Sequence, residues 1–328
     1  MKQLKLLLVG SLSLVAVASA IAQRSQLPPE CRRQIFDLCR GSGGGGFRQC
    51  VLRSLPKLSD PCRKAIGTRG AEAPAGVREY AYGNDPLQKL DLVVPAGGKK
   101  PLLLFIHGGG WSIGDKRHAA ALKAEHFTKE GWAFGSVNYR LVPAATVEQQ
   151  AADVAAAIAY LRAHSAEMGV DPDRIVLIGH SAGAHLAALV GTDPSYFAKA
   201  GMPISAVKGI ILLDGAGYNI AKQMARPGNP VASMYDAAFG RDPVRQRALS
   251  PTFHAAAPNA ARWLILPVAT RADSVGQSNE LAAAIRSAGA KARVTPVPDS
   301  SHAKLNRGLG TAGDFATAEV DRFLGDIR

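Results

Sequence analysis

Along most of the chain, short apolar runs alternate with amphipathic stretches. Leu102–Ile106 is a fully apolar run, as are Ile175–Ile178 and Val207–Leu213. Runs this short, bounded by Gly, Pro or Asp, predict buried strands rather than helices. Tyr80–Tyr82 and Leu87–Val94, either side of Gly83-Asn84-Asp85-Pro86, predict two more, and Ala133–Tyr139, Trp263–Val268 and Arg293–Val297 complete the set. Between them lie helical patterns: Glu148–His164 with Val154, Ile158 and Leu161 on one side, Ala184–Val190, Ser278–Ala288 and the closing Phe315–Leu324. Strands that alternate with helices predict an α/β class, a mostly parallel sheet with helices on both faces. Residues 218–258 break the rhythm with prolines and two short helical pieces, Ala232–Phe239 and Pro243–Leu249. That segment is too long for a plain connection and predicts a cap.

The first 69 residues follow another pattern. Met1–Lys5 is short and basic, Leu6–Val17 is largely apolar, and Ala18–Ala22 offers small-residue cleavage positions. This predicts a signal peptide over 1–22, a secreted or periplasmic mature chain, and no membrane span after cleavage. Four cysteines follow, Cys31, Cys39, Cys50 and Cys62, and there are none elsewhere. An even, clustered set behind an export signal predicts two disulfides, and four cysteines allow three pairings. No close Cys pair of the kind that zinc sites use occurs, so no metal is expected. Residues 23–66 thus form a small helical domain, with 67–76 as its linker to a catalytic domain over 77–328. From Arg24 to Arg69 ten basic residues meet three acidic ones, a net +7 within a chain of +13. Such a segment suits an anionic surface or polymer. With only Phe36 and Phe47 as aromatics, it does not suit nucleic acid.

The candidate chemistry centres on Gly179-His180-Ser181-Ala182-Gly183, between the Ile175 strand and the helix after it. Strand, sharp G-x-S-x-G turn and helix together lift a serine hydroxyl clear of a sheet. A serine nucleophile needs a base, and the base needs an orienting acid. Of the eight histidines only His254 and His302 follow Ser181 in a position to serve, besides His185 within the helix itself. His302, in a loop after the last strand, is the expected base. The expected acid is Asp273, in the loop one strand earlier, ahead of Asp214 at the end of the Val207 strand and of Asp299, a turn former. Gly109 and Gly110, in His107-Gly108-Gly109-Gly110-Trp111 at the end of the Leu102 strand, can turn N–H groups toward an oxyanion, together with Ala182. Trp111 is expected to line the substrate pocket. No nucleotide, redox or metal motif stands out, so no cofactor is expected.

HGGGWSIGDK (107–116), NYRL (138–141), DPDRIVLIGHSAGAHLAAL (171–189) and SHAKLNRGLG (301–310) resemble the α/β-hydrolase superfamily, in its bacterial carboxylesterase branch similar to kynurenine formamidase and feruloyl-type esterases. The resemblance spans about residues 77–328 and implies cofactor-free serine hydrolysis of a small-molecule carboxylic ester. An aryl formamidase or other amidase on the same fold is the alternative. One departure from the related hormone-sensitive-lipase pattern is Ala144, where an acidic residue often follows the proline of the YRL segment. Cys31, Leu38-Cys39, Phe47, Cys50, Leu58-Ser59, Cys62 and Ala65 resemble one cysteine-rich repeat of Golgi and secreted proteins. That resemblance implies a helical hairpin with Cys31–Cys62 and Cys39–Cys50 as the preferred pairing, the other two remaining open. It also leaves room for an exported binding protein that acts through this segment.

Overall fold

The computed structural model describes residues 28–40, 50, 54, 57–59, 61–62, 76–226, 231–256 and 258–327. The expected signal peptide, the glycine run 41–46 and the linker up to residue 75 lie outside the described residues. The chain divides into two units, Met1–Arg69 and Gly70–Arg328. In the first, a helix runs over Pro29–Cys39 with Cys31, Ile35 and Cys39 buried. Disulfides join Cys31 to Cys62 and Cys39 to Cys50. Phe36 on that helix is 58% exposed. No helix among the described residues is long and apolar enough to cross a membrane.

The second unit is built on one eight-stranded sheet. Its strands are β1 (Arg78–Ala81), β2 (Lys89–Val93), β3 (Lys100–Ile106), β4 (Ala133–Val137), β5 (Val170–His180), β6 (Val207–Leu213), β7 (Arg262–Leu266) and β8 (Lys291–Val294). They lie in the order β1-β2-β4-β3-β5-β6-β7-β8. β2 runs antiparallel to both β1 and β4, and every other pair is parallel. Parallel strands covered on both faces are apolar at consecutive positions, and here consecutive side chains feed different cores. Leu102, Leu104, Ile106, Ile175, Leu177, Ile210 and Leu212 pack on one face, with Val154, Ile158 and Leu186. Leu103, Phe105, Val176, Ile178, Ile211 and Leu213 pack on the other, with Phe127, Val320 and Leu324. Each such fully buried side chain contributes about 1.5–3 kcal/mol relative to exposure.

Three helices frame the strand ends. Val147–Ala163 starts with a capping box in which Thr146 and Gln149 satisfy each other's backbone N–H groups. Ala182–Thr192 has every residue buried, as a helix between sheet and cap must be. Ala272–Ser287 begins six residues earlier than the sequence pattern suggests. Between β6 and β7 the chain forms the cap, with helices at Ile220–Met224, Ala232–Phe239 and Pro243–Ala248. The bidentate pair of Arg245 with Glu148, at 2.7 and 2.9 Å, ties the cap to the Val147–Ala163 helix.

Candidate active site

Ser181 stands between β5 and the buried Ala182–Thr192 helix with φ 57° and ψ −118°. A non-glycine residue at positive φ is strained and is held there by its surroundings. Here the surroundings are two glycines. A Cβ on Gly179 would lie 2.2 Å from the Gly183 carbonyl oxygen, and a Cβ on Gly183 would lie 2.1 Å from that of Ile106. The motif spacing therefore reflects backbone against backbone at both positions. Ala182 is the first helical residue, so its N–H has no intrahelical acceptor.

His302 is the first residue of a helix that runs to Gly308 rather than part of a loop. Ser301 caps it, its Oγ accepting the Lys304 N–H at 3.2 Å. The helix is seated against β5. His180 Nε2–H donates to the His302 carbonyl at 2.9 Å, and the two rings are 4.5 Å apart. Burial pushes the His180 imidazole well below its usual range, reinforced by neighbouring His302, so it is neutral. On the far side, buried Lys123 reaches the carbonyls of Ala119, at 2.6 Å, and of Asn306. Burial pushes the Lys123 ammonium down to about 7.

The carboxylate that meets His302 is that of Asp214, not Asp273. His302 Nδ1 lies 2.7 Å from Asp214 Oδ2. Asp214 follows β6 directly, at φ 45°, and its side chain is fully buried. Its Oδ1 accepts the Val268 N–H at 3.0 Å. Burial alone would favour the neutral acid, but the His302 hydrogen bond and the Arg271 charge outweigh it and hold the carboxyl well below the usual range. Asp273 is drawn elsewhere because the chain is already helical at Ala272. Its carboxylate lies in the first helical turn and pairs with Arg226 at 2.5 Å and Arg271 at 3.4 Å. Asp299 is a turn residue at φ 47°, its carbonyl accepting from Lys304 Nζ.

The glycine loop after β3 lies beside the serine. A Cβ on Gly108 would be 3.0 Å from Ser181 Cβ. Gly109 has φ 134° and Gly110 φ 60°, conformations that suit glycine. Among the described residues the N–H groups of Gly109 and Gly110 donate to no backbone carbonyl. His107 beneath them is buried, stacks on Tyr139 at 4.3 Å, and is pushed down to about 4 by desolvation, which makes it structural. Trp111, the residue expected at the substrate pocket, is packed against the cap. It is 2% exposed, with its ring edge-on to Tyr235 and Phe239 of the cap. Its Nε1–H donates to His185 Nδ1 at 3.3 Å, and His185 Nε2–H donates to the Leu249 carbonyl at 2.8 Å. The residue over the glycine loop is Met234, whose sulfur would be 2.2 Å from a Cβ on Gly110. Nothing in the sequence pattern marks Met234 or Arg271. Among the described residues no group of His, Cys, Asp and Glu could hold a metal ion.

Solved structures share this architecture. Esterase 2 of Thermogutta terrifontis, solved after phosphoramylation by tabun, superposes with a TM-score of 0.63 at 25% identity, over 78% of this chain and 96% of that one. A truncated carbohydrate esterase from gut microbiota reaches 0.64 at 24% identity, over 78% and 99%. The Gly70–Arg328 unit has the α/β-hydrolase fold. Residues 90–222 of this unit match the BD-FAE family model. The chain is 40% identical over 175 residues to the probable carboxylic ester hydrolase LipM of Mycobacterium tuberculosis, covering 52% of this chain and 38% of that protein. It is 37% identical over 113 residues to a probable isoprenylcysteine alpha-carbonyl methylesterase of Arabidopsis thaliana, covering 34% and 24%. The chain thus aligns with well under half the length of these curated relatives.

Proposed function

We propose that the hydrolase unit cleaves carboxylic esters through an acyl-enzyme on Ser181. The observation that carries this reading is the 2.7 Å contact between His302 Nδ1 and buried Asp214, beside a serine on a strained strand-to-helix turn. With its Nδ1–H donated to Asp214, His302 keeps Nε2 as the basic nitrogen. Nε2 takes the Ser181 hydroxyl proton as Oγ bonds to the ester carbonyl carbon. The oxyanion that forms is met by the N–H groups of Gly109, Gly110 and Ala182, at the N-terminus of a helix whose dipole favours negative charge. The imidazolium then protonates the leaving alcohol as the C–O bond breaks. Water repeats the sequence and releases the acid. Esterase relatives and esterase neighbours support the substrate class.

The test is turnover of a panel of short-chain, aromatic and N-formyl substrates by the intact chain and by Ser181→Ala and His302→Ala. Ester turnover that falls by at least about 10³ in both variants is expected. Unchanged turnover in either, or exclusive cleavage of the N-formyl substrate, would overturn the proposal.

We propose further that the chain is exported and that its cysteine-rich unit binds an anionic polymer. Two disulfides fit an oxidising compartment. Arg32, Arg33 and Arg40 lie on or at the end of the Pro29–Cys39 helix, with the Arg40 guanidinium 5.6 Å from the exposed Phe36 ring. Retention on sulfated dextran that survives conversion of these three arginines to glutamate would refute it.

A further inference from the structure

Arg271 touches the Asp214–His302 pair, and the acyl-enzyme mechanism leaves it without a role. Its Nη1 lies 2.5 Å from Asp214 Oδ2 and 2.9 Å from His302 Nδ1. His302 Nδ1 lies 2.7 Å from that same oxygen. Two N–H groups gain nothing by facing each other, so both donate to the one oxygen, which is the anion between them. The Val268 N–H fills Oδ1, and the buried carboxylate is satisfied by three donors. Arg271 extends onward, with Nη2 3.4 Å from Asp273 Oδ2, and Asp273 is held in turn by Arg226. Charges therefore alternate from the buried acid to the surface: Asp214, Arg271, Asp273, Arg226.

We propose that Arg271 is a positioning residue for the base, sharing the His302-facing oxygen of Asp214 and thereby setting how strongly that acid supports a proton on His302. The inference rests on the Ser181–His302–Asp214 reading. An imidazole beside a bare carboxylate gains a proton readily, whereas one beside a carboxylate already paired to a guanidinium gains it less readily. The groups around His302 are Asp214 from the end of β6, Arg271 from the turn after β7 and His180 from β5. Buried Tyr218 faces Asp214, and Lys123 acts on His180 from the Ala121–Lys129 helix. Arg271 is the cation in direct contact with His302 among the described residues. The consequence is an acid limb of turnover that depends on Arg271 as well as on Asp214. Arg271 also fixes the carboxylate sideways, so that Oδ2 stays in line with Nδ1.

Two substitutions give opposite signs. Arg271→Gln removes the cation and keeps a donor, so the acid limb of kcat/KM moves up by about one to two pH units, with KM nearly unchanged. Asp273→Asn strips Arg271 of its second counter-charge, so the limb moves down by a fraction of a unit. Arg271→Lys keeps the charge and restores the wild-type limb. A residue that merely packs would not produce opposed shifts. Unmoved limbs in Arg271→Gln and Asp273→Asn, or shifts of the same sign, would overturn the proposal. Should Arg271→Gln fail to fold, Asp273→Asn decides alone, because an unmoved limb refutes the inference and a lowered one supports it. Asp214→Asn run alongside separates the two readings. If that variant keeps full turnover, the assignment of the acid fails, whatever Arg271 does.

Discussion

The N–H of Ser181 donates to the carbonyl of Leu213 at 3.0 Å. This bond extends the β5–β6 ladder one step past His180 and Leu213, which are paired in register. The residue after Leu213 is thereby carried to the level of Ser181, and that residue is Asp214. Asp214→Asn should lower kcat on a short ester by about 10³–10⁴, because the amide no longer fixes the His302 tautomer. Asp273→Asn should stay within about tenfold at plateau pH, since its carboxylate does not touch the base. The check is steady-state kinetics of both variants, and the reverse ranking would refute the assignment.

Gly183→Ala places a methyl 2.1 Å from the Ile106 carbonyl oxygen and 2.5 Å from that of His107. Neither atom can yield without moving β3 or the glycine loop behind it. Overpacking of this kind costs about 1–3 kcal/mol. A lowered thermal midpoint together with a kcat lower by at least about tenfold is expected, because small misplacements of reacting groups cost rate steeply. Calorimetry and kinetics on the same preparation check it, and a variant as stable and as fast as the parent would refute it.

Lys123 gives stability a pH dependence of definite sign. Burial pushes it from 10.5 to about 7 in the folded chain. Below about pH 7 both states hold the proton and the desolvation cost is at its fullest. Between about 7 and 10.5 the unfolded chain holds the proton and the folded one does not, so the penalty grows with each proton that folding must release as pH falls, and stability rises with pH. Denaturant unfolding of the wild type and of Lys123→Met should therefore diverge in the wild type's favour from below about pH 7 to above about pH 9. Parallel profiles would refute it.

Met234 covers Gly110, and its flexible thioether fills a gap that a shorter side chain would leave open. Met234→Ala should shift acyl preference toward longer chains, with kcat/KM for the shortest ester falling. A p-nitrophenyl ester series of increasing length reads this directly, and an unchanged length profile would refute it.

The sheet was legible in the sequence because β3, β5 and β6 are apolar at nearly every position in their buried stretches, which is what burial on both faces demands. The Ser181 turn and the glycine loop were legible because close backbone approach leaves glycine few substitutes. The acid was not. The stretch Asp273–Ser278 contains Gly276 and polar residues of modest helix propensity and so reads as a loop. It is helical because its polar groups are used inside the protein. Ser274 Oγ–H donates to the Gly215 carbonyl at 2.8 Å, and Gln277 Oε1 accepts from Gly217 and Asn219. Read as a loop, the stretch leaves Asp273 free to reach a base and hides Arg271. What separates Asp214 from Asp273 is a strand register and two arginines, Arg226 and Arg271, whose meeting no local pattern carries. His302 at a helix start was more accessible, since Ser301 is an ordinary N-cap.

Trp111 joins three parts of the Gly70–Arg328 unit. Its backbone belongs to the glycine loop, its indole N–H to the Ala182–Thr192 helix through His185, and its ring to the cap through edge contacts with Tyr235 and Phe239. A cap rooted this way is not an exchangeable module. Designs that reshape it will disturb the turn at Ser181 through this shared ring, and the variants that succeed should carry compensating changes around position 111.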